Sequence, residues 1–359
     1  MIYEDYAIFT PGPVKMSEEI LAIGAKQTPY FRNDKFSEVI FNCEKGLLKM
    51  LNAPEGSRVI FLTASGTAGM ESAVMNLLDE KDKALVVHGG GFGGRFVEIC
   101  KVHEVPHTDF SVKDTNLADI ESLAPRENYT SLIVNAHETS VGHLYDLDAM
   151  GAYAKKHGLF FIVDAISMLV TDPIDMSAQH IDAVIASSQK GLALPPGLTM
   201  VILAPRAQER VKDVKSLYFN FKDYLRNGER GQTPYTPAVT IMLQLEARLA
   251  QIEREGGVAQ SIAKAKEIAE YFRESIKGLP LKAYTPYMPN AMTTLTPTDG
   301  RSAIDIVNDL EKQYKVMVCP NGGPQRDIIF RVSHMGDMTK AYTDLLIDAL
   351  YDYYKIERR

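Results

Sequence analysis

Apolar residues in the first two-thirds of the chain come in short blocks. Six of them are 58–62 (RVIFL), 84–88 (ALVVH), 131–135 (SLIVN), 159–163 (LFFIV), 181–186 (IDAVIA) and 199–203 (TMVIL). Each is nearly continuous rather than alternating, which predicts strands buried on both faces. Between several of them the period changes to that of a helix. Met70, Ala73, Val74, Leu77 and Leu78 fall at i, i+3, i+4, i+7 and i+8 and predict one helix over 67–78. Strand and helix in this rhythm predict an α/β fold, with a mainly parallel sheet covered by helices on both faces.

Past about residue 237 the texture differs. A long helical segment runs from Ala238 to Arg254 and breaks at Gly256-Gly257. A second covers about 260–277, followed by a helix from Ala303 to Tyr314, strands at 315–319 and 327–333, and a last helix over about 339–355. This pattern predicts a large domain over 1–254 and a smaller C-terminal α+β domain over 255–359.

Composition narrows the function classes. The chain has 359 residues, 45% hydrophobic and 24% charged, as in an ordinary globular protein. Its net charge of -7 and the lack of a basic block argue against a nucleic-acid partner. There is no apolar run of about 18 residues to cross a membrane. The opening stretch MIYEDYAIFTPGP has no charged region followed by an apolar one, and a cytoplasmic protein is expected. Cys43, Cys100 and Cys319 are scattered with no C-x-x-C, so neither a disulfide framework nor a structural zinc site is expected. His137 and His143 are six apart with a glycine between, unlike a zinc-binding pair at i and i+4.

In an open parallel sheet, ligands bind beyond the carboxyl ends of the strands. After 58–62 comes TASGTAGME, where the backbone N–H groups of Gly66, Thr67 and Ala68 at a helix start could cradle a phosphate. The plainer reading is a tight strand–helix turn with Ser65 or Thr67 as N-cap. After 84–88 comes GGGFGGRF, in which Gly89, Gly91 and Gly94 match G-x-G-x-x-G with Asp109 further on. That pattern allows a dinucleotide site, or a flexible loop that lays Phe92 on a planar ligand. After 159–163 comes Asp164, an acid directly behind four apolar residues, either a cap or the partner of a buried cation. After 181–186 comes SSQKGLALPPG, with Lys190 as its one cation. A phosphate cradle, an aromatic plate, an acid and a lysine at one sheet edge suit pyridoxal 5'-phosphate (PLP). The lysine forms a Schiff base with its aldehyde and the acid keeps the ring nitrogen protonated.

These residues resemble the class V aminotransferases of fold type I, of the alanine–glyoxylate, serine–pyruvate and 2-aminoethylphosphonate–pyruvate kind. The likeness runs through FTPGPV (9–14), TASGTAGMES (63–72), AHETSVGHLYDLD (136–148), VDAIS (163–167), SSQKGLALPPG (187–197) and FRVSH (330–334). It implies that Lys190 is the Schiff-base lysine and that Asp164 partners the ring nitrogen. It puts the phosphate on Ser65, Gly66 and Thr67, with Gln189 beside it. Phe92 stands where relatives often carry a tryptophan, Ile166 packs on the other ring face, and Thr139 meets the ring hydroxyl. The resemblance assigns the substrate to Arg331, which holds its carboxylate, and to Gly12, and brings the segment 1–20 near the active site. In GQTPYTP (231–237), Thr233 and Thr236 would reach the phosphate of a neighbouring subunit, so a homodimer with shared sites is implied. The implied reaction moves an amino group from a small amino donor to a keto-acid acceptor such as pyruvate or glyoxylate by a ping-pong mechanism.

Two rivals need other features. A PLP lyase or cysteine desulfurase on the same fold needs a nucleophilic cysteine on a mobile loop. Cys319 instead ends an apolar run, as a structural residue at a strand end would. A nicotinamide oxidoreductase would use the glycine loop but leaves Asp164 and Lys190 without a task. Arg32 reads as a surface arginine or a contact to an acidic substrate, and His137 and Glu138 as residues that orient a loop.

Overall fold

The computed structural model describes residues 5–358. At its centre lies a seven-stranded sheet. Its strands are β1 (Arg58–Leu62), β2 (Ala84–His88), β3 (His107–Ser111), β4 (Ser131–Asn135), β5 (Phe160–Asp164), β6 (Ala183–Ser187) and β7 (Thr199–Leu203). The spatial order is β1-β7-β6-β5-β4-β2-β3. The pairs β6–β5, β5–β4, β4–β2 and β2–β3 are parallel, whereas β7 runs antiparallel to both β6 and β1. Strand β1 therefore runs in the same sense as β6, and six strands end at one edge.

The apolar blocks are continuous because this sheet is covered on both sides. Along β5, Phe160 and Ile162 belong to one core cluster and Phe161 and Val163 to another. Successive strand residues point to opposite faces, so both sets must be apolar. The helices α1 (Gly66–Leu77) and α2 (Gly91–Val102) pack on the face of Phe160 and Ile162, through Met70, Val74, Phe96 and Cys100. Strand β3 was not anticipated from the sequence. It is an edge strand, HTDFS, partly exposed along its length, and carries no apolar block.

Toward the C-terminus, α3 (Val239–Arg254) and α4 (Gly257–Ser275) are separated at Gly256, whose φ of +104° suits glycine. A second sheet is antiparallel and four-stranded, in the order Leu281–Ala283, Met292–Pro297, Phe330–Ser333, Cys319–Pro320. Its core, with Phe272, Ile306, Phe330 and Leu350, is separate from those of the large sheet. Residues 1–4 of the predicted N-terminal segment lie outside the described residues. From there the chain joins both regions. Ala7–Ile8 pairs in parallel with Val316–Met317, Phe9 enters the core of the second sheet, and Pro11 and Gly12 reach Lys190.

Candidate active site

The carboxyl ends of β4, β5 and β6, together with the turn after β1, surround one pocket. Of the predicted residues, Ser65, Gly66, Thr67, Phe92, Thr139, Asp164, Ile166, Gln189 and Lys190 line it, with Met70, Arg95, Asn135 and Ser167 added. Thr233 and Thr236 are not among its lining residues. Thr233 donates to Tyr235 O within its own segment, and Thr236 O accepts from Thr63 Oγ1.

Asp164 is the last residue of β5 and only 2% exposed. Parallel register sets it beside Asn135, the last residue of β4. Asn135 Nδ2 donates to its Oδ2 at 2.7 Å, and the backbone N–H of Ile166 donates to its Oδ1 at 2.9 Å. The acid thus caps the local turn as well as facing the pocket. Burial nevertheless raises its pKa to about 6, despite those two bonds.

Lys190 lies three residues beyond the end of β6. Its Nζ donates to Pro11 O at 2.5 Å, and no ion pair joins it to Asp164 among the described residues. Gly12 permits this approach. A Cβ there would sit 2.8 Å from Lys190 Cδ and 2.9 Å from Gln189 O, and its φ of +129° already favours glycine. Burial, then the positive charge of Arg331, lowers the lysine to about 8. A larger fraction is free amine at neutral pH than in an ordinary lysine, as nucleophilic attack on a carbonyl requires.

Two helices begin at this edge, and their N-termini are treated differently. That of α2 is closed by Glu138, a fully buried acid that accepts from Gly93 N at 2.8 Å and Phe92 N at 3.3 Å. The same carboxylate accepts from Ser140 N, so Glu138 orients both loops. Asp109 is bound to His88 at 2.7 Å. The glycine run therefore gives no open pyrophosphate site, and the dinucleotide reading fails on geometry. At α1, by contrast, Ser65 is the N-cap residue yet its side chain makes no capping bond. Gly66 packs so close to Ile166 that a Cβ would collide with its Cδ1. Thr67 Oγ1 accepts from Arg95 Nη1 at 2.9 Å.

At the other wall, Thr139 Oγ1 and Ser167 Oγ are 2.5 Å apart. Thr139 O also accepts from Arg331 Nη1 at 3.2 Å, which brings the second sheet to the pocket. Arg331 is 8% exposed. Its Nη2 donates to Pro320 O at 2.6 Å and lies 2.9 Å from Cys319 Sγ, while its Nε has no partner. Cys319 sits on a strand paired with Phe330–Ser333, and burial raises its thiol above the ordinary range. A half-buried, protonated thiol on a paired strand is not the mobile nucleophile of a desulfurase. His137 is buried, its Nδ1 donating to Ser167 O at 3.1 Å, and burial lowers it to about 3, so it stays neutral. Arg32 holds the 231–237 segment through Thr233 O at 2.6 Å and Pro234 O at 3.1 Å.

Sequence reasoning missed Asn135, Arg95, Ser167 and Pro11. Asn135 left a trace, as the polar end of an apolar block like Asp164. The others depend on tertiary placement.

A half-buried amine, a buried acid and an open helix N-terminus around one pocket of a mainly parallel α/β sheet define a PLP-dependent transferase of fold type I. The chain belongs to the aminotransferase class-V family, whose model matches residues 23–328. It is 28% identical over 336 residues to an uncharacterized aminotransferase of Helicobacter pylori strain J99, covering 92% of this chain and 88% of the relative. It is 27% identical over 348 residues to the L-aspartate–glyoxylate aminotransferase of Paracoccus denitrificans, covering 93% and 87%. Among solved structures, the subgroup IV aspartate aminotransferase of Thermus thermophilus superposes with a TM-score of 0.89 at 26% identity, covering 96% of this chain and 99% of that one. The protein is accordingly a transaminase that uses PLP.

The cofactor's charges fit what the pocket lacks. Its anionic phosphate suits the uncapped N-terminus at Ser65, and its ring N–H suits the buried carboxylate of Asp164.

Two predictions concern the cofactor-free protein. Asp164 titrates near 6 when folded and near 3.8 when unfolded. The unfolded state then binds fewer protons between these values, so stability falls as pH rises from about 4 to about 6. Asp164→Asn, with the Asn135 amide turned to accept, should escape this loss. It should melt higher than the parent at pH 7–8, by up to ~3 kcal/mol, and lose that advantage at pH 4. Parallel melting curves for the two proteins across that window would show the carboxylate to be unstrained. For Lys190, the rate of acetylation by acetic anhydride, read by mass spectrometry, should rise with a midpoint near 8. Arg331→Gln removes one of the lowering charges and should move it upward. A parental midpoint near the ordinary lysine value would mean that the amine is well solvated.

Proposed function

We propose that this transaminase moves an amino group from a small amino acid or related amine to a keto acid such as pyruvate or glyoxylate, in two ping-pong half-reactions. The observation that carries this reading is the placement of Lys190, lowered to about 8, and Asp164, raised to about 6, in one pocket with no bond between them. Bound there, PLP supplies an aldehyde that captures amines covalently and a ring that accepts electrons.

Lys190 Nζ is the nucleophile toward that aldehyde. As a free amine in the pocket, Lys190 Nζ would serve as general base and general acid, taking a proton from the donor's α-carbon and giving one back. Asp164 accepts a hydrogen bond from the ring nitrogen's N–H. A cation beside it restores the carboxylate charge that burial opposes. Ser65, Gly66 and Thr67, with Gln189, face the phosphate. Phe92, Ile166 and Thr139 line the same pocket; the first two would hold the ring and the Thr139 hydroxyl would bind its hydroxyl. Arg331 binds the carboxylate of donor and acceptor, supported by its unpartnered Nε, with Gly12 on the substrate side of Lys190.

The same reading makes the enzyme a homodimer. Thr233 and Thr236 lie away from their own pocket on a segment that Arg32 holds, in keeping with a contribution to the neighbour's phosphate. The chain divides functionally into a cofactor-binding part over 1–254 and a smaller part over 255–359 that supplies Arg331. Among the described residues no helix is long and apolar enough to cross a membrane, which agrees with a cytoplasmic enzyme.

A screen of amino donors against pyruvate and glyoxylate tests the reaction, with Lys190→Ala as control. The parent should transaminate at least one pair, and the variant should lose steady-state turnover and the cofactor's visible lysine-bound absorbance while staying folded. Retained borohydride labelling of another lysine would sink the assignment. Arg331→Lys should keep the absorbance but lose about ten- to hundredfold in kcat/KM for the keto acid, since charge-assisted bonds contribute ~1.5–3 kcal/mol. A lower melting temperature beside normal kinetics would make Arg331 a structural tie to Thr139 and Pro320 only.

A further inference from the structure

Arg95 lies in the pocket without an assigned task. It is the fifth residue of α2 and lines the pocket with Ser65, Gly66 and Thr67. Its Nη1 donates to Thr67 Oγ1 at 2.9 Å, and its guanidinium carbon lies 5.4 Å from the centroid of the Phe92 ring. Among the described residues it has no carboxylate partner; its one hydrogen-bonded side chain is a neutral hydroxyl. Glu138, whose carboxylate closes the start of the same helix, is committed to the backbone N–H groups of Phe92, Gly93 and Ser140.

The charge count at this corner is therefore unbalanced. An open helix N-terminus carries about half a positive charge. A guanidinium adds a full one, directly on the first turn of that helix. Two positive groups held together repel unless an anion lies between them. A phosphate monoester carries about -1.5 to -2 at neutral pH, more than a helix end alone balances. The guanidinium is also held in place beforehand by the Phe92 face and by Thr67, so little side-chain entropy remains to be lost on binding.

We propose that Arg95 is a phosphate-binding residue of this site, supplying the cation that completes the helix N-terminal cradle. This rests on the reading that Ser65, Gly66 and Thr67 hold the phosphate of PLP. It gives the residue two contacts of different kinds. Its guanidinium packs against the Phe92 ring, and its remaining N–H groups would bind the phosphate.

The test compares PLP with pyridoxal, which keeps the aldehyde and ring but lacks the phosphate. Cofactor-free parent, Arg95→Gln and Arg95→Lys are titrated with each, following the visible absorbance of the lysine-bound form. The parent should prefer PLP strongly. Arg95→Gln should lose about ten- to hundredfold in PLP affinity and leave pyridoxal affinity within about twofold. Arg95→Lys should fall between. Inorganic phosphate should raise the melting temperature of the cofactor-free parent and of Arg95→Lys but not that of Arg95→Gln. Equal losses for PLP and pyridoxal would make Arg95 a structural support of Phe92 and Thr67, and overturn the proposal. A parent that does not distinguish PLP from pyridoxal overturns the underlying phosphate reading as well. A parent that does, beside an Arg95→Gln that still does, removes Arg95 alone. If Arg95→Gln does not fold, the Arg95→Lys titration and the phosphate melting shift of the parent decide. An unshifted parent and a Lys variant with undiminished preference for PLP count against the proposal.

Discussion

Two ionisable groups at one sheet edge, Asp164 buried and Lys190 half-buried, kept from pairing, are the constraint around which the site is built. Asp164 and Lys190 would neutralise each other in a direct ion pair, and that pair would fill the pocket. The fold prevents it by giving each its own partners. Asp164 is turned toward Asn135 and the Ile166 N–H, and Lys190 toward Pro11 O. Both are held short of their ordinary charge, the acid at about 6 and the amine at about 8. For Asp164 the difference from 3.8 corresponds to ~3 kcal/mol against the ionised form. That energy is recovered only by a ligand that brings a positive N–H to the acid. Holding the two apart also explains why Gly12 is a glycine, since Lys190 takes the space of its missing Cβ.

The same edge shows how one architecture makes two helix N-termini into different things. Sheet edges of this kind place several positive helix ends together. Here Glu138 closes one from within the chain, turning a glycine-rich loop into a rigid support for Phe92. The other keeps a serine that does not cap and gains an arginine. The pocket is thereby polar along its length, positive at α1, negative at Asp164, with the reactive amine reaching in from beyond β6. A ligand with a phosphate at one end and a protonated ring nitrogen at the other has one orientation available.

What could be read in advance follows from burial. Strands buried on both faces appear as uninterrupted apolar blocks, and each predicted block of the large sheet is a strand within a residue or two of its expected ends. Strand β3 escaped because an edge strand such as HTDFS need not be apolar. The reversed direction of β7 escaped because a block carries no sense of direction. At the site, residues beside a telling motif were legible. Those brought in by register or by another element were not. Asn135 meets Asp164 through parallel register, and Arg95 meets Thr67 across two helices. The GGGFGGRF run left a dinucleotide site and a loop for Phe92 both open, because the acid that closes its helix lies some forty residues later, at Glu138.

Arg331 shows how the second sheet enters the chemistry. It stands in register with Cys319 on one side and Thr294 on the other, so its place is fixed by strand pairing rather than by a loop. Its guanidinium is already engaged by Thr139 O, Pro320 O and the Cys319 sulfur. These contacts are neutral and, among the described residues, leave its charge without a counter-ion. A buried guanidinium satisfied only by neutral acceptors is hydrogen-bonded but not compensated. A carboxylate arriving there gains an ion pair and has little reorientation to impose. Because Thr139 is both a wall of the cofactor pocket and one of the three anchors, any movement of Arg331 toward a substrate is felt at that wall. The antiparallel sheet thus acts as a fixed mount for Arg331, the group proposed to bind the substrate carboxylate. The large sheet holds the amine and the acid, and the 3.2 Å bond from Arg331 to Thr139 O links the second sheet to that pocket.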